Sequence, residues 1–215
     1  MLKMNHFEIF TFHPKHQLGI SHLKNPDNLK EKSIIDAGAW IGDTAIFLSY
    51  HTKNKVYAFE PLYKNYIEMQ KNIELNNINN IEPLYMALGE ENKKIYLEDI
   101  DVTGMIGINT NLEKDGNNKI EVEMTTLDKF VEDNNLEIGF IKMDLEGFEQ
   151  AFLRGALNTI KKQKPALMIS IYHNYSDFFD IKPMLESLDL GYKFKIVKSE
   201  AHFVLADTIM IAEVY

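Results

Sequence analysis

The chain has 215 residues, 45% of them apolar, and a formal net charge of −9, a length that supports one large domain with its own core. It has no cysteine, which excludes disulfides, thiolate metal sites and cysteine nucleophiles and fits a cytoplasmic protein. Arg154 is the single arginine, the lysines are scattered, and no apolar run reaches the ~18 residues of a membrane span, so neither a nucleic-acid partner nor a membrane span is expected.

Residues 1–32 read as an N-terminal segment without the continuous apolar region of a signal peptide. Its "HPKH", His13 to His16, reads as a solvated loop, because Pro14 interrupts any helix that would align the histidines. A domain over residues 33–215 is expected to follow. "SIIDAG" is a strand running into a turn, "GDTAIFLSYH" a helix, and "KVYAFEP" a second strand. Leu62, Tyr66, Met69 and Ile73 recur with helical period. "IEPLYMAL" reads as a third strand, placed near an edge or bend by Pro83. Ile95 to Glu98 and Lys119 to Thr125 form the strands of a hairpin. The Gly- and Asn-rich stretch between them, residues 99–118, is long enough to be expected as a mobile substrate loop. "TLDKF" starts a helix with Thr126 as cap.

The apolar run from Ile138 is a buried strand that ends in "IKMDLEGFEQ", with Lys142, Asp144, Glu146 and Glu149 gathered at its tip. One helix burying Phe148, Phe152, Ala156 and Ile160 follows and stops before Pro165. "ALMISIYH" is the next strand, and Phe178, Ile181, Leu185 and Leu188 mark a helix ending at Gly191. "YKFKIVK" and "TIMIAEVY" close the chain as an antiparallel pair. Alternating strands and helices predict a doubly wound α/β fold, a mostly parallel sheet with an antiparallel edge. Ligands of such sheets sit at the carboxyl ends of the strands. Those ends carry Asp36, Glu60, Ala87, Asp144 and His173.

In "DAGAWIGDT", Gly38, Ala39 and Gly42 keep side chains small where a ligand approaches the backbone. Glu60, 24 positions after Asp36, can accept both hydroxyls of a ribose. Asp36 and Asp43 would repel a pyrophosphate, which disfavours a nicotinamide dinucleotide. They suit the sulfonium and ammonium of S-adenosylmethionine. The plainer alternative makes Gly38 and Gly42 a tight turn and Asp43 a helix cap.

"IIDAGAWIGDTAIFL", "VYAFEPLYKNYIEMQKNIELN", "TTLDKF", "FIKMDLEGFEQAFLRGA" and "KPALMISIYH" together resemble the FkbM-type family of S-adenosylmethionine-dependent methyltransferases. The resemblance covers about Ser33 to Gly191. It implies a seven-stranded Rossmann-like methyltransferase sheet and, in most assigned members, O-methylation of diverse acceptors that include sugars and polyketide-type products. The family's cofactor motif falls on Asp36, Gly38, Ala39 and Glu60. Trp40, Gly42, Asp43, Thr44, Pro61, Ala87 and Asp144 complete the expected cofactor contacts. Trp40 departs from the small polar residue usual at its place.

Methyl transfer to a hydroxyl requires that its proton be removed. If the strand persists, Lys142, Asp144 and Glu146 share one face. Either Asp144 or His173 takes the proton, or Asp144 and Glu146 with His173 or Asn174 hold a divalent cation that acidifies the hydroxyl. No metal ligand set is assigned from the sequence. Lys142 can alternatively pair with Glu146 or Glu149, and Glu149 is expected to face solvent on the first helical turn. The competing function is a non-catalytic S-adenosylmethionine-binding module serving as a partner or sensor.

Overall fold

The computed structural model describes residues 20–98, 119–198 and 208–215, so "HPKH" and the expected substrate loop lie outside the described residues. The strands among these residues are β1 (Ser33–Ala37), β2 (Val56–Phe59), β3 (Ile81–Leu84), β4 (Ala87–Leu88), β5 (Lys93–Glu98), β6 (Lys119–Thr125), β7 (Ile138–Met143), β8 (Ala166–Ser170), β9 (Lys193–Lys198) and β10 (Thr208–Glu213). The helices are α1 (Asp43–Ser49), α2 (Tyr63–Leu75), α3 (Leu127–Asp133), α4 (Glu149–Arg154), α5 (Leu157–Gln163) and α6 (Tyr175–Glu186).

Seven strands form one sheet in the order β3-β2-β1-β7-β8-β10-β9, parallel except where β10 pairs antiparallel with β8 and β9. The α/β class, the mostly parallel sheet and the antiparallel edge are as expected. β1, β7 and β8 are buried at every position, because parallel central strands are covered on both faces. Alternation divides their side chains between two cores. Ile35, Ile141 and Leu167 pack on one side with Phe152 and Ile160, while Ile34, Phe140 and Met168 pack on the other with Ile46 and Met69.

A second sheet of order β4-β6-β5 departs from the expected single third strand. "IEPLYMAL" breaks after Leu84, and Ala87 and Leu88 pair instead with Met124 and Thr125. The hairpin of β5 and β6 forms as expected, from Lys93 opposite Met124 to Glu98 opposite Lys119. Thr126 caps α3 by accepting the Lys129 N–H. The expected single helix after β7 is two, interrupted at Gly155. A Cβ there would lie 1.9 Å from the Gly89 carbonyl oxygen, so the helix is broken where it meets the small sheet. The last helix ends at Glu186, short of Gly191, and Phe178 is exposed rather than buried.

A buried ion pair lies inside this core. Asp36 stands opposite Lys142 in the β1–β7 register, and both are buried. Their charged atoms are 3.0 Å apart. Removing one partner of a buried pair leaves an uncompensated charge, which destabilises by about 3–5 kcal/mol. Lys142→Met is therefore expected to lose about that much in urea unfolding, and Asp36→Asn/Lys142→Met to recover part of it. A Lys142→Met chain as stable as the parent would show that the pair carries no weight.

Candidate active site

β1, β2, β7 and β8 run parallel, so their carboxyl ends and the loops leaving them gather at one end of the sheet. The turn after β1 has positive φ at Gly38 (76°), Trp40 (48°) and Gly42 (86°). The Gly38 and Ala39 N–H groups both donate to the Phe59 carbonyl, at 3.1 and 2.9 Å, which ties the turn to the end of β2. A Cβ on Gly38 would lie 2.0 Å from the Asp144 carbonyl oxygen, and one on Gly42 would lie 2.8 Å from Met69 Cγ. At these glycines the chain itself comes close, the loop after β7 at Gly38 and helix α2 at Gly42, so neither position has room for a side chain. Gly42 is the cap residue of α1, Asp43 is its first residue and not the cap, and Thr44 is buried behind it.

Glu60 ends β2 and is buried. Its Oε2 accepts the Trp40 N–H at 2.9 Å and its Oε1 the Leu62 N–H at 2.9 Å and Asn65 Nδ2 at 3.3 Å. Burial nevertheless raises its carboxyl to about 7, outweighing these donors and the Lys142 charge that favour ionisation. Pro61 follows in the same turn, half-buried. Beyond Leu62, Tyr63 packs edge-to-face on Tyr85 at 5.4 Å, and Tyr85 meets Tyr66 at 5.6 Å. Sequence reasoning did not single out this aromatic group, because Tyr66 carried only helical period. Ala87, expected at the crevice, is buried in β4 within the small sheet.

Asp36 also departs from its expected role. It lies inside β1, fully buried and paired with Lys142, so its charge is neutralised before it could select a cationic ligand. Lys142 pairs with neither Glu146 nor Glu149. Its Nζ donates to the Gly38 carbonyl at 2.6 Å. Burial pushes the Lys142 ammonium down, but the charge of Asp36 and then Asp144 outweighs it, and the net shift is upward.

The remaining charged groups meet at the ends of β7 and β8. β7 stops at Met143, so Lys142, Asp144 and Glu146 do not share a strand face. Instead Glu146 (φ 51°) and Gly147 (φ 97°) curl the loop back on itself. His173 lies between β8 and α6. Its Nε2 is 3.4 Å from Asp144 Oδ1 and 3.6 Å from Glu146 Oε2. Its Nδ1 is 2.8 Å from Glu149 Oε1, which also accepts the Leu145 N–H at 2.8 Å. Glu149, expected in solvent, is completely buried. Its signal was present in the spacing: Phe152 and Leu153 follow it by three and four residues on the stripe that α4 turns inward.

A carboxylate only accepts, so Glu149 Oε1 takes a hydrogen bond from His173 Nδ1–H, and Nε2 faces Asp144 and Glu146 as a lone pair in the neutral ring and as a second N–H in the imidazolium. Burial pushes this imidazole down, the hydrogen bond and charge of Glu149 with the charges of Asp144 and Glu146 outweigh it, and the net shift is upward. Burial raises Glu146, against the pull of His173 and with the push of Asp144. Such a cluster can take a proton from a bound hydroxyl or ligate a cation.

The description "Methyltransferase FkbM domain" belongs to the family model that matches residues 36–194. Methyltransferase 1 of Beauveria bassiana (strain ARSEF 2860) is 25% identical over 175 residues, which span 72% of this chain and 70% of that protein. The crystal structure of methyltransferase FkbM from Methylobacillus flagellatus KT aligns with a TM-score of 0.62 and 22% identity over 85% of this chain. The chain spans only 43% of that structure's length. An rRNA methylase of Streptococcus thermophilus aligns at TM-score 0.57 and 14% identity over 95% of this chain and 96% of its own. SMU.1697c of Streptococcus mutans, solved in complex with SAH, aligns at TM-score 0.52 and 16% identity over 88% and 94%. The structural likenesses show the fold, and the match over residues 36–194 shows that the chain belongs to the FkbM methyltransferase domain family.

Proposed function

We propose that the chain transfers a methyl group from S-adenosylmethionine to a hydroxyl of a small, hydroxyl-rich acceptor such as a sugar or glycolipid precursor. The observation that carries this reading is the pairing, at one end of the sheet, of the buried Glu60 carboxylate with the Asp144–Glu146–His173 cluster. Glu60 suits a ribose: two hydroxyl donors would supply what burial withholds from its charged form. Exposed Trp40 gives its own N–H to the carboxylate, and exposed Tyr63 follows Leu62, whose N–H the carboxylate also accepts. The half-exposed Asp144 and Glu146 favour a positively charged donor beside them.

The donor supplies an electrophilic methyl on a sulfonium. The chain's own work is to align acceptor oxygen, carbon and sulfur, which can contribute about 7–11 kcal/mol, and to remove the hydroxyl proton. That proton leaves at the cluster as the O–CH₃ bond forms and the S–CH₃ bond breaks. A cleft of about 310 Å³ begins at Gly147, next to Glu146. It presents Lys93, Gln150 and the Glu90–Arg154 ion pair as polar groups and Phe148 as an apolar face, a lining that supports a hydroxyl-bearing acceptor. The gathering of Asp144, Glu146 and Glu149 around one imidazole favours catalysis over a non-catalytic binding module.

Glu60→Ala is expected to weaken S-adenosylmethionine binding about 10–100-fold by calorimetry, the worth of hydrogen bonds to a charged group. Unchanged affinity would remove Glu60 from the ribose. Ribose hydroxyls favour the ionised carboxylate, so its pKa falls from about 7 on binding and protons are released. Affinity should therefore rise with pH up to about 7 and then level, with proton release seen as buffer-dependent heat; proton uptake contradicts the assignment. Asp144→Asn should lower turnover of labelled methyl groups by about 10²-fold or more while donor binding persists. A fully active variant takes Asp144 out of the mechanism.

A further inference from the structure

We infer that Asp144, Glu146 and His173 form a binding site for one divalent cation, with Glu149 behind the histidine as the carboxylate that orients it. The first observation is spacing. His173 Nε2 lies 3.4 Å from Asp144 Oδ1 and 3.6 Å from Glu146 Oε2, too far for hydrogen bonds. Ligand atoms around an ion held at about 2.0–2.2 Å stand roughly 3–3.5 Å apart, so the gap fits an ion.

The second observation is polar atoms without partners. The side chain of His173 is only 9% exposed, yet its Nε2 has no hydrogen-bond partner. Neither has buried Asp144 Oδ1, nor Oε2 of the fully buried Glu149. The residues whose ligand atoms all lie within 4.8 Å of one another are Asp144, Glu149 and His173, and Glu146 joins them through its 3.6 Å approach to His173 Nε2. Buried polar atoms are nearly always satisfied, and three of the six such side-chain atoms without a hydrogen bond among the described residues belong to this cluster, the others lying on His22 and on Asp36, which pairs with Lys142.

The third observation is what lies behind the histidine. Metal-bound imidazoles characteristically give their other N–H to a carboxylate, which sets tautomer and ring orientation. Glu149 Oε1 takes the His173 Nδ1–H at 2.8 Å and is itself held by the Leu145 N–H. In the neutral ring the Nε2 lone pair points at two carboxylates, a repulsive arrangement that a cation between them, or a proton on Nε2, relieves. Lys142 is near enough to act on Asp144 and Glu146, but its ammonium is committed to Asp36 and the Gly38 carbonyl. The positive φ of Glu146 brings in a further anion against both backbone preference and charge.

One imidazole nitrogen with two carboxylate oxygens suits a first-row ion such as Mn²⁺ better than Ca²⁺. Asp144 and Glu146 are 37% and 40% exposed, which leaves the outer side of the ion open to an acceptor hydroxyl. The ion's role, though not its site, rests on the methyl-transfer reading: a hydroxyl bound there is acidified, its proton passes to water on the open side, and its oxygen takes the methyl as the S–CH₃ bond breaks.

The test is titration of the full chain with Mn²⁺ alone, followed by calorimetry and electron paramagnetic resonance without donor. One ion per chain is expected, with ¹⁴N modulation from His173 in the bound-Mn²⁺ spectrum. His173→Ala and Asp144→Asn should weaken Mn²⁺ at least 100-fold, and Glu149→Gln about 10–100-fold. A parent chain that binds S-adenosylmethionine but no Mn²⁺ overturns the site, as does bound Mn²⁺ without nitrogen modulation. A folded His173→Ala chain with parental affinity overturns it too. Because the donor is absent, failure of S-adenosylmethionine binding in a separate titration would count against the donor assignment and not against the cation site.

Discussion

The buried ion pair between Asp36 and Lys142 is the constraint from which the site is hung. It joins β1 to β7 at the center of the sheet, and the same ammonium reaches the Gly38 carbonyl at 2.6 Å. The glycine turn held there donates to Phe59 on β2 and, through the Trp40 N–H, to Glu60. On its other side the turn touches the Asp144 carbonyl so closely that only glycine fits. One lysine thus sets the distance between the carboxylate at the end of β2 and the cluster after β7. A buried pair of this kind contributes little net stability over an apolar replacement. Its consequence is geometric, because both loops are referred to one buried point.

Two carboxylate environments follow from that frame, and burial treats them differently. Glu60 is enclosed by backbone donors and still raised to about 7, a group poised to be relieved by further hydrogen bonds. Asp144 and Glu146 are half-exposed around an imidazole whose outer nitrogen is free of hydrogen bonds. The first environment suits neutral donors such as sugar hydroxyls, the second a positive charge. A sulfonium donor with a ribose presents both at once. A pyrophosphate dinucleotide would bring its negative charge toward Asp43 and the cluster.

Much of the fold was legible in the sequence. Apolar runs leading into Asp36, Glu60, Asp144 and His173 marked strands, their alternation with helices pointed to a mostly parallel sheet, and the "AFEP" and "KMDLEGFE" blocks pointed to the family that residues 36–194 match. The misses have physical causes. Strand period placed Lys142, Asp144 and Glu146 on one face, but period carries no information about the positive φ values that curl the loop after Met143. Glu149 was read by its charge, as a solvent-facing anion, when its position on the apolar stripe of α4 was the better guide. Asp36 was read as a ligand group because a partner 106 positions away becomes visible only through the β1–β7 register. Ala87 was misplaced for a related reason: the small sheet that takes in β4 is made by long-range pairing.

The most direct test of the account is a crystal structure with S-adenosylhomocysteine. The ribose hydroxyls should bond the Glu60 carboxylate and the thioether sulfur should face the Asp144–Glu146–His173 cluster. A product bound away from Glu60, or one whose sulfur points away from that cluster, would contradict it.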